Sequence, residues 1–141
     1  MKLNLKQFIN RSQLSVLRQL VTGEEGEFFV NTIEELKNTI ATMPTTYATD
    51  GQGDAAVVHL HYFTGSSDWW VTERDAGDEE DPAPGTQHQA YGFVCLNGWT
   101  DDAESGYISI DELIKHGAEL DLYWAPKTIG EIKESIRRKA A

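Results

Sequence analysis

His59 and His61, with Glu73 and His88 further on, have the residue types to hold a metal ion. Side chains alternate faces along a β-strand, so His59 and His61 would share one face about 6.5–7 Å apart. Two imidazoles completed by a carboxylate would suit a divalent transition metal such as Zn²⁺, Fe²⁺ or Mn²⁺. The simpler reading is that both imidazoles lie on a half-exposed sheet face, hydrogen-bonded to neighbours. Histidine commonly sits at intermediate burial, and the ligand set is incomplete.

A second constellation is electrostatic. The 141-residue chain has a net charge of −11, unevenly distributed. Between Asp50 and Glu112 there are fourteen acidic residues and a single base, Arg74. Phosphate contact needs Lys and Arg, so direct nucleic-acid binding through this region is excluded as an expectation. Asp78, Glu79, Glu80 and Asp81 form one acidic run; Asp101, Asp102 and Glu104 form another. Trp69, Trp70 and Trp99 stand near them, and Trp70 and Trp99 are the expected anchors for a Lys- or Arg-rich partner. Alternation puts Trp69 and Trp70 on opposite faces of a strand, so a sheet covered on one side would bury only one. The competing reading is a solvated acidic surface that confers solubility.

Other chemistry finds less support. Lys133, Arg137, Arg138 and Lys139 cluster at the C-terminus, where cations favourably meet a helix dipole. Cys95 is the sole cysteine, with no motif partner, and no Gly-x-Ser-x-Gly elbow is present. Gly51-Gln52-Gly53 lacks the strand, the helix and the third glycine of a dinucleotide fingerprint, and reads as a turn. No apolar run approaches the ~20 residues needed to span a bilayer. The N-terminus lacks a secretory pattern, and a lone cysteine suits a reducing compartment, so the expected location is cytoplasmic.

The elements that position these residues follow from periodicity. Leu14, Leu17 and Val21 mark a first helix, with Ser12 as N-cap and Gly23 past its end. A second helix is expected over Thr32–Thr42, capped by Asn31 and Glu34, with Ile33, Leu36 and Ile40 as its buried stripe and Pro44 as its stop. Ala56–Phe63 and Trp69–Arg74 read as a hairpin around Gly65-Ser66-Ser67-Asp68, with Val58, Leu60 and Tyr62 on the core face. Asp75–Thr86 is acidic and Pro-rich, an expected mobile loop. Strands are expected at Gln87–Leu96, Gly106–Ile108 and Leu120–Trp124. Ser109 with Glu112 and Thr128 with Glu131 are capping boxes for two more helices. The expected fold is a single α+β domain over 1–141, with helical residues 1–43 and a mainly antiparallel sheet in 44–141.

From Tyr47 on, the order YATDGQGD, HLHYFTGSSDWWVTERD, QAYGF and ESGYISIDELIKHGAELDLYWAPKTIGEI resembles a bacterial family of unknown function, the plasmid-related proteins. Its most specific segments are Asp50–Asp54, Trp70–Asp75 and Gly106–Leu113. The resemblance spans about Tyr47 to Ile132 and implies a small protein serving a plasmid, integrative element or phage; it brings no catalytic residues. Gly53-x5-His59-x-His61, with Pro84-Gly85-x2-His88, also resembles the metal motifs of cupin barrels. There a Glu follows after three or four intervening residues, where this chain has Gly65 and Ser66.

Two functions are therefore expected. The leading one is an acidic, non-enzymatic interaction protein of a mobile element, without cofactor or membrane contact. It would occupy the basic surface of a host nucleic-acid-binding or defence protein. The alternative is a small cupin-like metal enzyme or sensor using His59, His61 and His88.

Overall fold

The computed structural model describes residues 3–140. Asn10 accepts the Gln13 N–H at 2.7 Å and opens α1 (Arg11–Val21). Asn10, and not Ser12, takes this role because its amide also donates to the Ala118 carbonyl at 2.8 Å, fixing the helix start against the far end of the chain. The second helix, α2 (Gly26–Thr42), begins earlier than the expected Thr32. Phe29 lies one turn before Ile33 and extends the apolar stripe, so Asn31 sits inside the helix. A Cβ on Gly26 would lie 2.2 Å from the Val21 carbonyl oxygen, so only glycine permits this junction.

The sheet strands are β1 (Val57–Val58), β2 (Leu60–Thr64), β3 (Ser67–Glu73), β4 (Ala90–Cys95) and β5 (Glu104–Ile108). After β5 come α3 (Ile110–Lys115), β6 (Glu119–Leu120), β7 (Lys127–Thr128) and α4 (Ile129–Ala140). One sheet runs β5-β4-β3-β2-β6, with every neighbouring pair antiparallel; β1 and β7 form a separate antiparallel pair. The architecture is α+β. The expected hairpin is present, with Thr64 opposite Ser67 and a tighter turn at Gly65-Ser66. Gly65 has φ 54°, the left-handed conformation this turn needs.

The expected first strand is interrupted at His59. Val57 and Val58 leave the main sheet to pair with Thr128 and Lys127. Leu60 and Tyr62 face the core as expected, but Val58 joins the opposite side. Both sheet faces are covered, which a one-sided reading misses. On the first, Phe8 from the segment before α1, with Leu17 of α1, Phe29 and Ile40 of α2 and Ile110 of α3, packs against Leu60, Tyr62 and Val71. On the second, α4 packs Ile129 and Ile132 against Val58, Trp70, Phe93 and Cys95. Trp69 is therefore half-buried on one face while Trp70 is buried on the other.

The expected strand at Leu120–Trp124 shortens to Glu119–Leu120. The Asp121 N–H still donates to the His61 carbonyl at 2.8 Å. The chain then turns, and the Trp124 indole N–H donates back to the Val58 carbonyl at 3.0 Å. The Thr128 box forms in full, Thr128 Oγ1 accepting from Glu131 N–H at 3.2 Å and Thr128 N–H donating to Glu131 Oε1 at 3.3 Å. Ser109 forms only the N-cap half, its Oγ accepting from Glu112 N–H at 3.2 Å.

Side-chain hydrogen bonds tie down the Asp75–Thr86 loop. Asp75 Oδ2 accepts from His88 N–H at 3.2 Å and Gln89 N–H at 3.0 Å. Gln7 Nε2 donates to the Pro84 carbonyl at 2.6 Å, and buried Gln87 Nε2 donates to the Gly85 carbonyl at 3.0 Å. Composition alone reads such a segment as unanchored because its anchors, Gln7 and Gln87, lie outside the acidic run.

Candidate functional site

The register of β3 against β4 shifts between Val71 and Glu73. Such a bulge re-aims the following side chain. Glu73, only 3% exposed, is directed at the chain entering the sheet. One carboxylate oxygen accepts the Tyr47 N–H at 2.7 Å; the other accepts the Thr49 N–H at 2.8 Å and the Thr49 hydroxyl. Glu73 thereby closes the loop from Tyr47 to Asp54. None of the ion pairs among the described residues involves it.

Between this loop, the β3–β4–β5 end of the sheet and α4 lies a cleft of about 610 Å³. Thr72, Glu73, Gly92, Ala56 and Ile129 line its interior. Tyr47, Tyr91 and Tyr107 supply aromatic walls. Tyr107 meets Tyr91 at 5.6 Å between ring centres and 80° between planes, and meets Tyr47 at 6.5 Å and 81°. The Tyr107 hydroxyl donates to Tyr47 Oη at 3.2 Å, which also accepts from Gln89 Nε2 at 3.3 Å. The bond to Tyr47 pushes the Tyr107 phenol above its ordinary value. Asp50 and Asp54 stand on the loop side, and Lys133 reaches over from α4 to pair with Asp54 at 2.7 Å.

A second hollow, of about 430 Å³, continues along β5. It shares Ser105 and Lys133 with the first and adds Asp101, Ala103 and Glu104. Above it, the turn after β4 presents Trp99, 62% exposed. That turn is fixed: Asn97 N–H donates to Ser67 Oγ at 2.9 Å, and Trp99 N–H to the Leu96 carbonyl at 2.9 Å. Asp101, Asp102 and Glu104 are exposed beside it. β5 is the edge of the sheet, and along it this hollow, lined by Asp101 and Glu104 as well as by Lys133 and Arg137, leads to the tyrosine cleft.

The other sequence-derived residues lie elsewhere. Trp70, 8% exposed, stacks on His61 at 5.6 Å and 8° in the second core, and offers a partner almost no surface. Asp78, Glu79 and Glu80 are exposed on their loop. Asp81 accepts the Ala83 N–H at 2.9 Å and pairs with His88 Nε2 at 2.7 Å; these bonds, the Ala83 one first, hold its carboxyl below the ordinary range.

The four metal candidates are not brought together. His61 has Nε2 on Asp68 at 2.8 Å and Nδ1 on Asp121 at 3.3 Å. His88 is committed to Asp81, and both oxygens of Glu73 to the Tyr47–Thr49 loop. Glu73 lies three residues along β3 from Trp70, the partner of His61 in register, which is about 10 Å. The break in the strand at His59 removes the shared face on which the two imidazoles were paired. Among the described residues, no group of three or more His, Cys, Asp or Glu is arranged to hold a metal ion.

Sequence reasoning missed the cleft, because Tyr47, Tyr91 and Tyr107 lie on three separate segments. Asp50, Gly51, Gly53, Asp54, Glu73 and Tyr107, spread over three stretches of sequence, line it. No helix among the described residues is long and apolar enough to cross a membrane. Comparison with protein-family models, with curated proteins and with solved structures gives no match.

Proposed function

We propose that this chain is a non-enzymatic interaction protein that docks a basic protein surface against its acidic face. The observation that carries this reading is Trp99: a largely exposed indole on a fixed turn, with Asp101, Asp102 and Glu104 beside it. A rigid aromatic costs little entropy to bury and anchors interfaces well, and carboxylates around it favour Lys and Arg on the other side. Nucleic-acid-binding proteins carry such basic surfaces. Occupying one would block its nucleic acid, and the setting implied by the resemblance is a mobile element acting on a host defence or nucleic-acid-binding protein.

The test immobilises the chain against a panel of basic host nucleic-acid-binding proteins at low and at raised salt. At least one should bind at low salt, lose affinity as salt rises, and release its nucleic acid on binding. Trp99→Ala should weaken that complex about tenfold or more. Binding that ignores both salt and Trp99 would overturn the reading.

A further inference from the structure

We propose that the tyrosine cleft is a cage for an organic cation, the guanidinium or ammonium of one Arg or Lys side chain on the docked partner. This inference rests on the basic-partner reading above and assigns it a specificity pocket.

Ring orientation is the first argument. Tyr107 stands nearly perpendicular to both Tyr91 and Tyr47, so the rings present faces in different directions around one cleft. Aromatic faces carry negative quadrupole charge and attract cations, and boxes of such rings are a general solution for ammonium recognition.

Charge is the second. Three carboxylates line the cleft, Asp50, Asp54 and Glu73, against one ammonium, Lys133, which Asp54 already neutralises. Glu73 is buried, hydrogen-bonded to neutral donors, and without an ion pair among those described. A buried carboxylate of this kind lends its field to a cation entering above it. An anion or a phosphate would meet that field as repulsion.

Position is the third. β5 runs from Glu104, which follows the Trp99 turn, to Tyr107 in the cleft, three residues or about 10 Å along the strand. A partner anchored at Trp99 can therefore extend a side chain into it.

The experiment titrates the 141-residue chain, at low salt, with N-acetyl-arginine amide and N-acetyl-lysine amide, following backbone amide shifts by NMR. Neutral N-acetyl-citrulline amide and tetramethylammonium serve as comparators. Arg or Lys probes should move Asp50, Tyr91, Tyr107 and Lys133, the citrulline probe should not, and Tyr107→Leu should weaken binding about fivefold. Tyr107 is exposed, so that variant should keep the wild-type spectrum elsewhere. Absent shifts in the cleft, equal shifts with citrulline, or binding of tetramethylammonium alone would each overturn the proposal. Failure here with Trp99-dependent docking intact would remove only the cage. A cleft that takes the arginine probe while no basic protein docks would keep the cage and remove the docking reading.

Discussion

Glu73 accepts the backbone N–H of Tyr47 at 2.7 Å, and Tyr47 is held there with φ 75°. A bulky aromatic residue in the left-handed region is strained by about 1–3 kcal/mol, and such strain persists only where surrounding contacts impose it. One buried carboxylate thus fixes both the Tyr47–Asp54 loop and the first wall of the cleft. Glu73→Ala would strand two N–H groups and the Thr49 hydroxyl, and is expected to cost about 3 kcal/mol or more in urea denaturation. Glu73→Gln keeps one acceptor and should cost less. Equal stability of Glu73→Ala and the native chain would show that the loop is held otherwise.

The α1–α2 junction supplies a second test. A Cβ at Gly26 meets the Val21 carbonyl oxygen at 2.2 Å, and backbone must shift to admit it. Gly26→Ala is expected to destabilise by about 2–4 kcal/mol, despite alanine's higher helix propensity. Gly51 is the control: it has φ 81° with open space around it, so Gly51→Ala should cost only about 1 kcal/mol, from conformation alone. A reversed order in thermal denaturation would refute the close-approach argument.

The contrast between these glycines shows what the sequence discloses. Local chemistry was legible: the Ser109 and Thr128 caps, the Gly65 turn, and the Ile129–Ile132–Ile136 stripe all follow from residues a few positions apart. Three features were not, because each depends on a distant partner. The α1 start depends on Asn10 reaching Ala118, the acidic loop on Gln7 reaching Pro84, and the fate of Trp70 on α4 covering a second sheet face. The break at His59 likewise exists because β7, a strand too short to show periodicity, draws Val57 and Val58 away. Among the site residues, Trp99 and the acids beside it were readable as exposed loop residues. The cleft was not, since only the bulge at β3 and the β4–β5 register bring its tyrosines together.

His61 is sandwiched rather than free. Its ring lies 5.6 Å from Trp70 and 5.0 Å from Trp124, with a carboxylate on each nitrogen. His61→Ala removes the stack on Trp70 and the tilted contact with Trp124, and leaves Asp68 and Asp121 without their shared partner. Since both acids are partly exposed, the expected cost is about 1–2 kcal/mol. Combining His61→Ala with Asp68→Ala should cost less than the two single losses together. Strict additivity in that cycle would mean that the contact carries no energy.

His59 gives a pH dependence with a definite sign. Burial pushes its pKa below the ordinary 6.5, so the unfolded chain binds this proton more readily than the folded one. The stability it contributes is whole above pH 6.5 and is lost as pH falls through the folded value. Asp81, whose carboxyl is also depressed, acts in a lower window, since its contribution is lost only below the ordinary carboxylate range. His59→Gln should therefore flatten the melting-temperature profile just below pH 6.5 while leaving the steeper acid limb in place. Identical profiles for the two proteins across that window would remove His59 as the cause.

The acids at residues 78–80 are expected to act on association rather than on folding. They are exposed, and exposed charges contribute about 0–1 kcal/mol to stability. Asp78→Asn, Glu79→Gln and Glu80→Gln together should leave the melting temperature unchanged or slightly raised, because self-repulsion is relieved. Asp78→Asn keeps an oxygen for the Glu80 N–H, which Asp78 Oδ1 accepts at 2.8 Å, so the turn survives. Asp81 is left intact because it holds Ala83 and His88. Against a basic partner the triple variant should associate more slowly with little change in dissociation, since outlying charges steer encounter. Added salt should slow the native chain in the same way, because the Debye length is only about 8 Å at physiological ionic strength. Trp99→Ala should do the opposite, leaving association fast and hastening dissociation. Stopped-flow kinetics on one partner separates the two effects. An association rate indifferent to both salt and the triple substitution would leave these acids with solubility as their only role.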